Sequence, residues 1–197
     1  GHTRLSIIDL SENGHQPMAS SDGRWVISYN GEIYNFSLLR RELEARGVSF
    51  RSKSDTEVLV EGVAAWGVEA TLRRTNGMFA FALWDRLRRT LYLARDRLGQ
   101  KPLYYSWVNG TLVFSSELSS LRKFPDLSQK LDQGSVGLYL RHNCIPAPYT
   151  IFKNCWKLMP GSYLELNHDR LIREGLQKPK CFWSAFDVVS EANANPI

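Results

Sequence analysis

The stretch NGEIYN at residues 30–35 holds the residue types best suited to chemistry in this chain. An Asn-Gly pair at the end of a strand offers a side-chain amide and an unencumbered backbone N–H. Two such donors pointing the same way stabilise a developing oxyanion. The same dipeptide also makes an ordinary hairpin turn. Arg4 stands just before an apolar run, where a guanidinium either clamps a carboxylate through two parallel hydrogen bonds or faces solvent as a simple charge. Asp55 falls in the first turn of a predicted helix, suited either to an α-ammonium group or to the positive end of the helix dipole. Together Arg4, Asp55 and the Asn30-Gly31 pair would suit an amino acid with a side-chain carbonyl. Spacing alone does not bring them together.

The elements that must position these groups follow from periodicity and punctuation. LSIIDL (5–10) reads as a short buried strand, and RWVISY (24–29) as a second strand running into an Asn30-Gly31 turn. A helix capped by Asn35 is expected to stop at Gly47. Ser54-Asp55-Thr56-Glu57 has the pattern of a capping box, opening a helix that ends at Gly67. MFAFALWD, TLYLARD, PLYYSW and TLVFSS read as an antiparallel meander whose strands are apolar on both faces. Such strands need helices on both sheet faces or a second sheet opposite. A short helix, ELSSLRKF, follows, and the RDRLGQKPLYY loop either borders a site or ties the fold through Arg95-Asp96. Residues 1–124 form the expected core. Residues 125–197 hold a helix opened by Asp132, the proline-rich IPAPYTIF, a KLMPGSYLEL strand, a turn at Asn167-His168-Asp169 and the linker-like EANANPI.

Composition narrows the possibilities. The 197 residues carry a net charge of +5 with 43% hydrophobic and 23% charged residues, ordinary for a globular chain and enough for one buried core. The 12% aromatic content argues against disorder. The basic residues are scattered rather than gathered in a stripe, so nucleic acid is not an expected partner. No apolar run approaches the roughly 20 residues of a membrane span, and the start lacks the features of a signal peptide. Cys144, Cys155 and Cys181 lie far apart and odd in number, which argues against disulfides and zinc ribbons, suits a cytoplasmic location and reads as small buried thiols. With neither a G-x-x-x-x-G-K-[ST] nor an S-G-G-x-D-S-type run, no cofactor is expected on this chain.

RLSIIDL, NGEIYN, SDTEV, GMFAFALWD, RDRLGQKPLYY and FSSEL, in this order, resemble the N-terminal glutaminase domain of glutamine-hydrolysing asparagine synthetases, a type 2 glutamine amidotransferase domain. APYTIF, KLMPGSYLEL and the late FWS resemble the stretch leading to the synthetase domain. The resemblance implies an α+β fold of the N-terminal-nucleophile hydrolase type, an αββα sandwich of two antiparallel sheets. It implies L-glutamine as substrate, hydrolysed to glutamate and ammonia for the ATP-dependent amidation of aspartate. It places glutamine against Arg4, Leu5, Ser6, Ile7 and Ile8, against Asn30, Gly31 and Glu32, and against Asp55. Asn30 and Gly31 would form the oxyanion hole, Arg4 would hold the α-carboxylate, and Asp55 and Glu32 would lie near the α-amino group. ATP and magnesium are implied only for the synthetase domain, the partner in the complete protein.

The resemblance also sets an expectation about the front of the chain. Family members expose a cysteine nucleophile as residue one, followed by an Arg-His-Arg-Gly-Pro segment, whereas this chain begins Gly1-His2-Thr3-Arg4. The expectation is a truncated domain lacking its first strands, inactive alone and pairing through an exposed edge as a homodimer. Two alternatives are a non-catalytic glutamine-binding or scaffolding domain, and the glutaminase domain of a related amidotransferase with another acceptor.

Overall fold

The computed structural model describes residues 14–194. In chain order they form β1 (Met18–Ala19), β2 (Trp25–Ile33), α1 (Phe36–Glu44), α2 (Asp55–Trp66), α3 (Val68–Arg74), β3 (Gly77–Asp85), β4 (Thr90–Arg95), β5 (Tyr104–Val108), β6 (Thr111–Ser115), α4 (Leu118–Leu121), α5 (Gln133–His142), β7 (Cys155–Lys157), β8 (Ser162–Asn167), α6 (His168–Glu174), β9 (Lys180–Cys181) and α7 (Ala185–Ala194). The strands make a six-stranded sheet of order β1-β2-β3-β4-β8-β9 and a three-stranded sheet of order β6-β5-β7, with every pairing antiparallel. The LSIIDL strand, Arg4 and its neighbours, and the last three residues of EANANPI lie outside the described residues.

Side-chain alternation explains the apolar two-faced strands. On one face of the large sheet, Phe79, Phe81 and Leu83 of β3 and Tyr92 of β4 pack with Leu43 of α1, Leu59 and Val63 of α2 and Leu72 of α3. On the other face, Ala80, Ala82, Leu93 and Leu164 meet Tyr105 of β5 in the layer between the sheets. On the outer face of the small sheet, Cys155 of β7 is covered by Leu121 and Leu127, with Leu118 of α4 beside them. The result is a helix–sheet–sheet–helix sandwich, as the resemblance implies. Each fully buried Phe or Leu contributes about 1.5–3 kcal/mol, which makes the doubly covered β3 a main source of stability.

Several local expectations hold and several do not. Ser54 caps α2 by accepting the Thr56 N–H, and Asp132 caps α5 by accepting the Ser135 N–H. Glu57 reaches back beyond the cap, to the N–H groups of Arg51 and Ser52. The meander divides in two: β4 pairs with β8 rather than β5, and the chain crosses to the second sheet through the 96–103 loop. Asn167 begins a helix by accepting the Arg170 N–H, where a turn was expected. The EANA of the expected linker continues α7. Asn30-Gly31 is no turn at all, because the β2–β3 ladder runs through it to Ile33↔Gly77. Gly31 serves close approach instead: an added Cβ would stand 2.2 Å from the Met78 carbonyl oxygen and 2.7 Å from Phe79 Cα. Of the cysteines only Cys155 is buried; Cys144 and Cys181 are exposed, and all three are free.

Candidate active site

The direction of each backbone group on β2 follows from the ladder. Gly31 lies opposite Phe79. The Phe79 N–H donates to Asp96 Oδ2 at 3.1 Å, and its carbonyl accepts the Asp96 N–H at 2.8 Å, so both groups face away from β2. Gly31 and Phe79 are therefore a non-hydrogen-bonded pair, and the Gly31 N–H points off the other edge of β2. Residues of the same parity confirm that direction. The Tyr29 N–H donates to Gln16 Oε1 at 2.6 Å, and the Ile33 N–H donates to Asp55 Oδ2 at 3.0 Å.

Asn30 and Glu32 project from the face shared with Ala80, the face turned towards the second sheet. Asn30 is exposed and Glu32 half-buried. The Asn30 amide Nδ2 donates to Ser116 Oγ at 3.3 Å, a bond from β2 to the residue just after β6. The amide is thus held at the mouth of the cleft between the sheets.

Asp55 is 6% exposed at the first position of α2. Its Oδ2 accepts the Tyr29 hydroxyl at 2.8 Å as well as the Ile33 N–H. Burial and the adjacent Asp55 carboxylate push the Tyr29 phenol far above its usual range, so Tyr29 is a permanent donor. Gln16 completes the staple, its Nε2 donating to Thr56 Oγ1 at 3.3 Å. Three side chains thus fasten the first turn of α2 to the edge of β2 that carries Gly31. The distance along the strand from Gly31 to Ile33 is about 7 Å.

Asn30, Gly31, Glu32 and Asp55 are brought together by one strand and one helix start. Arg4, Leu5, Ser6, Ile7 and Ile8 lie outside the described residues. Gln16, Tyr29 and Ser116 join the site with no signal in their local sequence. The cysteines stand elsewhere: Cys155 is buried on the outer face of the small sheet, in β7, where burial pushes its thiol up and makes it inert. Among the described residues no three His, Cys, Asp or Glu side chains gather as metal ligands. Cavities of about 680 and 580 Å³ run beside β9 and α6 and contain none of the site residues.

Two stacked antiparallel sheets between helix layers make an α+β sandwich, with hydrogen-bond donors gathered on one strand. Residues 1–178 match the glutamine amidotransferase domain, and the chain belongs to that family. Asparagine synthetase [glutamine-hydrolyzing] 1 of Bacillus subtilis is 41% identical over 169 residues, covering 86% of this chain and 26% of the relative. A putative asparagine synthetase [glutamine-hydrolyzing] 2 of Methanocaldococcus jannaschii is 36% identical over 186 residues, covering 86% and 35%. The chain thus spans a quarter to a third of the length of these relatives. Among solved structures, the glutamine phosphoribosylpyrophosphate amidotransferase of B. subtilis, complexed with ADP and GMP, shares the fold. Its TM-score is 0.63 at 21% identity, covering 92% of this chain and 34% of that one.

Proposed function

We propose that this chain is the glutaminase portion of a glutamine-hydrolysing asparagine synthetase, binding L-glutamine along the edge of β2 and stabilising the oxyanion of amide hydrolysis. The observation that carries this reading is the orientation of Gly31. Its N–H leaves the ladder next in sequence to the Asn30 amide, and the Asp55 carboxylate is held by the N–H of Ile33, a residue about 7 Å further along the same strand. That separation matches an extended five-carbon amino acid, its side-chain carbonyl at Gly31 and its ammonium group at Asp55 with Glu32 nearby. Arg4 takes the α-carboxylate in this arrangement, with Leu5, Ser6, Ile7 and Ile8 completing the wall.

Chemically, a thiolate adds to the glutamine side-chain carbonyl, and the electron pair of the C=O bond moves to oxygen. The Gly31 N–H and Asn30 amide meet that oxyanion. Its collapse expels the amide nitrogen as ammonia, the nitrogen taking the proton that the nucleophile's base removed from the thiol, and leaves a thioester, which water hydrolyses to glutamate with return of the thiol. None of Cys144, Cys155 and Cys181 stands among the site residues, so the described residues supply binding and electrostatics. Transfer of ammonia to aspartate, with ATP and magnesium, belongs to the remainder of such a protein. A cytoplasmic homodimer completes the proposal; the free cysteines fit a reducing compartment.

Titration calorimetry with L-glutamine, with D-glutamine and L-asparagine as controls, tests the reading. Stereoselective binding of L-glutamine that is lost in Asp55→Ala is expected. Equal heats for all three ligands, or retention of binding in Asp55→Ala, would overturn it.

A further inference from the structure

The Gly31–Phe79 pair has no hydrogen bond of its own, so at the point where an oxyanion donor must be held the β2–β3 ladder acts only through the flanking pairs Asn30↔Ala80 and Glu32↔Met78. Contact is nonetheless tight, since even a Cβ on Gly31 would be 2.7 Å from Phe79 Cα. Whatever fixes Phe79 from its far side therefore fixes Gly31. The β3–β4 ladder ends at Ala80↔Arg95, and Asp96, the next residue, takes over. Its N–H meets the Phe79 carbonyl, and its carboxylate replaces the missing strand as acceptor of the Phe79 N–H.

We infer that Asp96 is a positioning residue for the Gly31 oxyanion donor, acting through the main chain of Phe79; this rests on the reading of Gly31 given above. Asp96 is fully buried, and four backbone N–H groups converge on its two oxygens. Phe79 and Lys101 donate to Oδ2, and Leu98 and Gln100 to Oδ1, all between 2.9 and 3.1 Å. The Asp96 carbonyl accepts the Gly99 and Gly161 N–H groups. The Asp96 side chain therefore references Phe79 to the 97–101 turn, while its main-chain carbonyl ties the same residue to the loop before β8. Only a carboxylate meets this demand, because an asparagine would set an NH2 group against converging N–H donors. Arg95 belongs to a separate brace of the same loop, donating to the carbonyls of Lys101, Leu158 and Gly99. Productive geometry at such sites tolerates displacements of only about 0.5 Å, which Phe79 is placed to control.

The test is steady-state glutaminase kinetics of the full-length protein, with active sites counted by complete labelling with a glutamine-derived electrophile. Asp96→Asn is expected to lower kcat per active site about tenfold to a hundredfold, with KM for glutamine within about twofold. Arg95→Met loosens the same loop and is expected to lower the melting temperature while leaving kcat per active site unchanged. A second variant removes only the Phe79 N–H by replacing Phe79 with its α-hydroxy acid analogue, phenyllactic acid. It is expected to reproduce the loss in kcat even where Asp96→Asn does not fold. Unchanged kcat in the phenyllactate protein, or equal losses in kcat in Asp96→Asn and Arg95→Met, would overturn the inference. Absence of glutaminase activity in the unmutated protein would instead remove the reading of Gly31 itself.

Discussion

The Asp55 carboxylate accepts the Tyr29 hydroxyl at 2.8 Å, so the start of α2 and the middle of β2 move as one body. Because the same oxygen also accepts the Ile33 N–H, Asp55 is aimed along the strand edge rather than left free to rotate. Hydrogen bonds to charged groups are worth about 1.5–3 kcal/mol, and Tyr29→Phe is expected to lose that much in urea denaturation. The same variant is expected to raise KM for glutamine with little change in kcat. A KM equal to that of the unmutated protein would show that Asp55 keeps its place without Tyr29.

Asn30 is exposed and its side chain makes one long bond, so Asn30→Ala is expected to leave the melting temperature nearly unchanged. Its effect belongs to the transition state. Loss of one oxyanion donor costs about 2.7–4 kcal/mol, a hundredfold to a thousandfold in kcat. Ser116→Ala leaves the amide in place without its 3.3 Å partner and is expected to lower kcat by less. Glutaminase turnover unchanged in Asn30→Ala would remove Asn30 from the oxyanion hole.

Gly31→Ala tests close approach rather than backbone freedom. The added methyl group meets main-chain atoms at 2.2 and 2.7 Å, and neither can step aside as a side chain would. Overpacking of this kind costs about 1–3 kcal/mol, and the expected result is a lower melting temperature together with lost activity. Gly77, on the neighbouring strand, is under a similar constraint, since a Cβ there would lie 2.3 Å from the Glu32 carbonyl oxygen. A Gly31→Ala protein as stable as the parent would show that β2 and β3 separate more easily than their geometry suggests.

What was legible in the sequence was what short-range rules govern. Ser54 and Asp132 announce their helices because a cap is satisfied within three residues. The two-faced strands announce buried sheets because alternation is local. Asn30-Gly31 misled, since glycine serves both turns and close strand contact, and the residues that exclude a methyl there are Met78 and Phe79. The partners that orient the site were hidden for the same reason: Gln16 is 40 residues from Thr56, and Ser116 is 86 residues from Asn30. The division of the meander was equally hidden, because β8 displaces β5 as the neighbour of β4 through residues far down the chain.

Acid should weaken the fold through two buried carboxylates. Burial raises the pKa of Glu57, but the N–H groups of Arg51 and Ser52 and the Ser52 hydroxyl outweigh it and hold Glu57 below its ordinary 4.5. Burial likewise opposes ionisation of Asp85, yet Arg24 and the N–H groups of Arg88 and Leu87 hold it below 3.8. Both groups bind protons more weakly folded than unfolded, so as pH falls the unfolded chain takes up protons first. The stability they confer is present above their unfolded values and is lost as pH falls below 4.5 and 3.8 towards the lower folded values. Urea midpoints measured from neutral pH downward are expected to hold steady and then drop across that window. Glu57→Gln removes one of the two titrating groups and is expected to flatten the drop while lowering stability at neutral pH. An identical acid slope in Glu57→Gln and the parent would assign the acid sensitivity to other carboxylates.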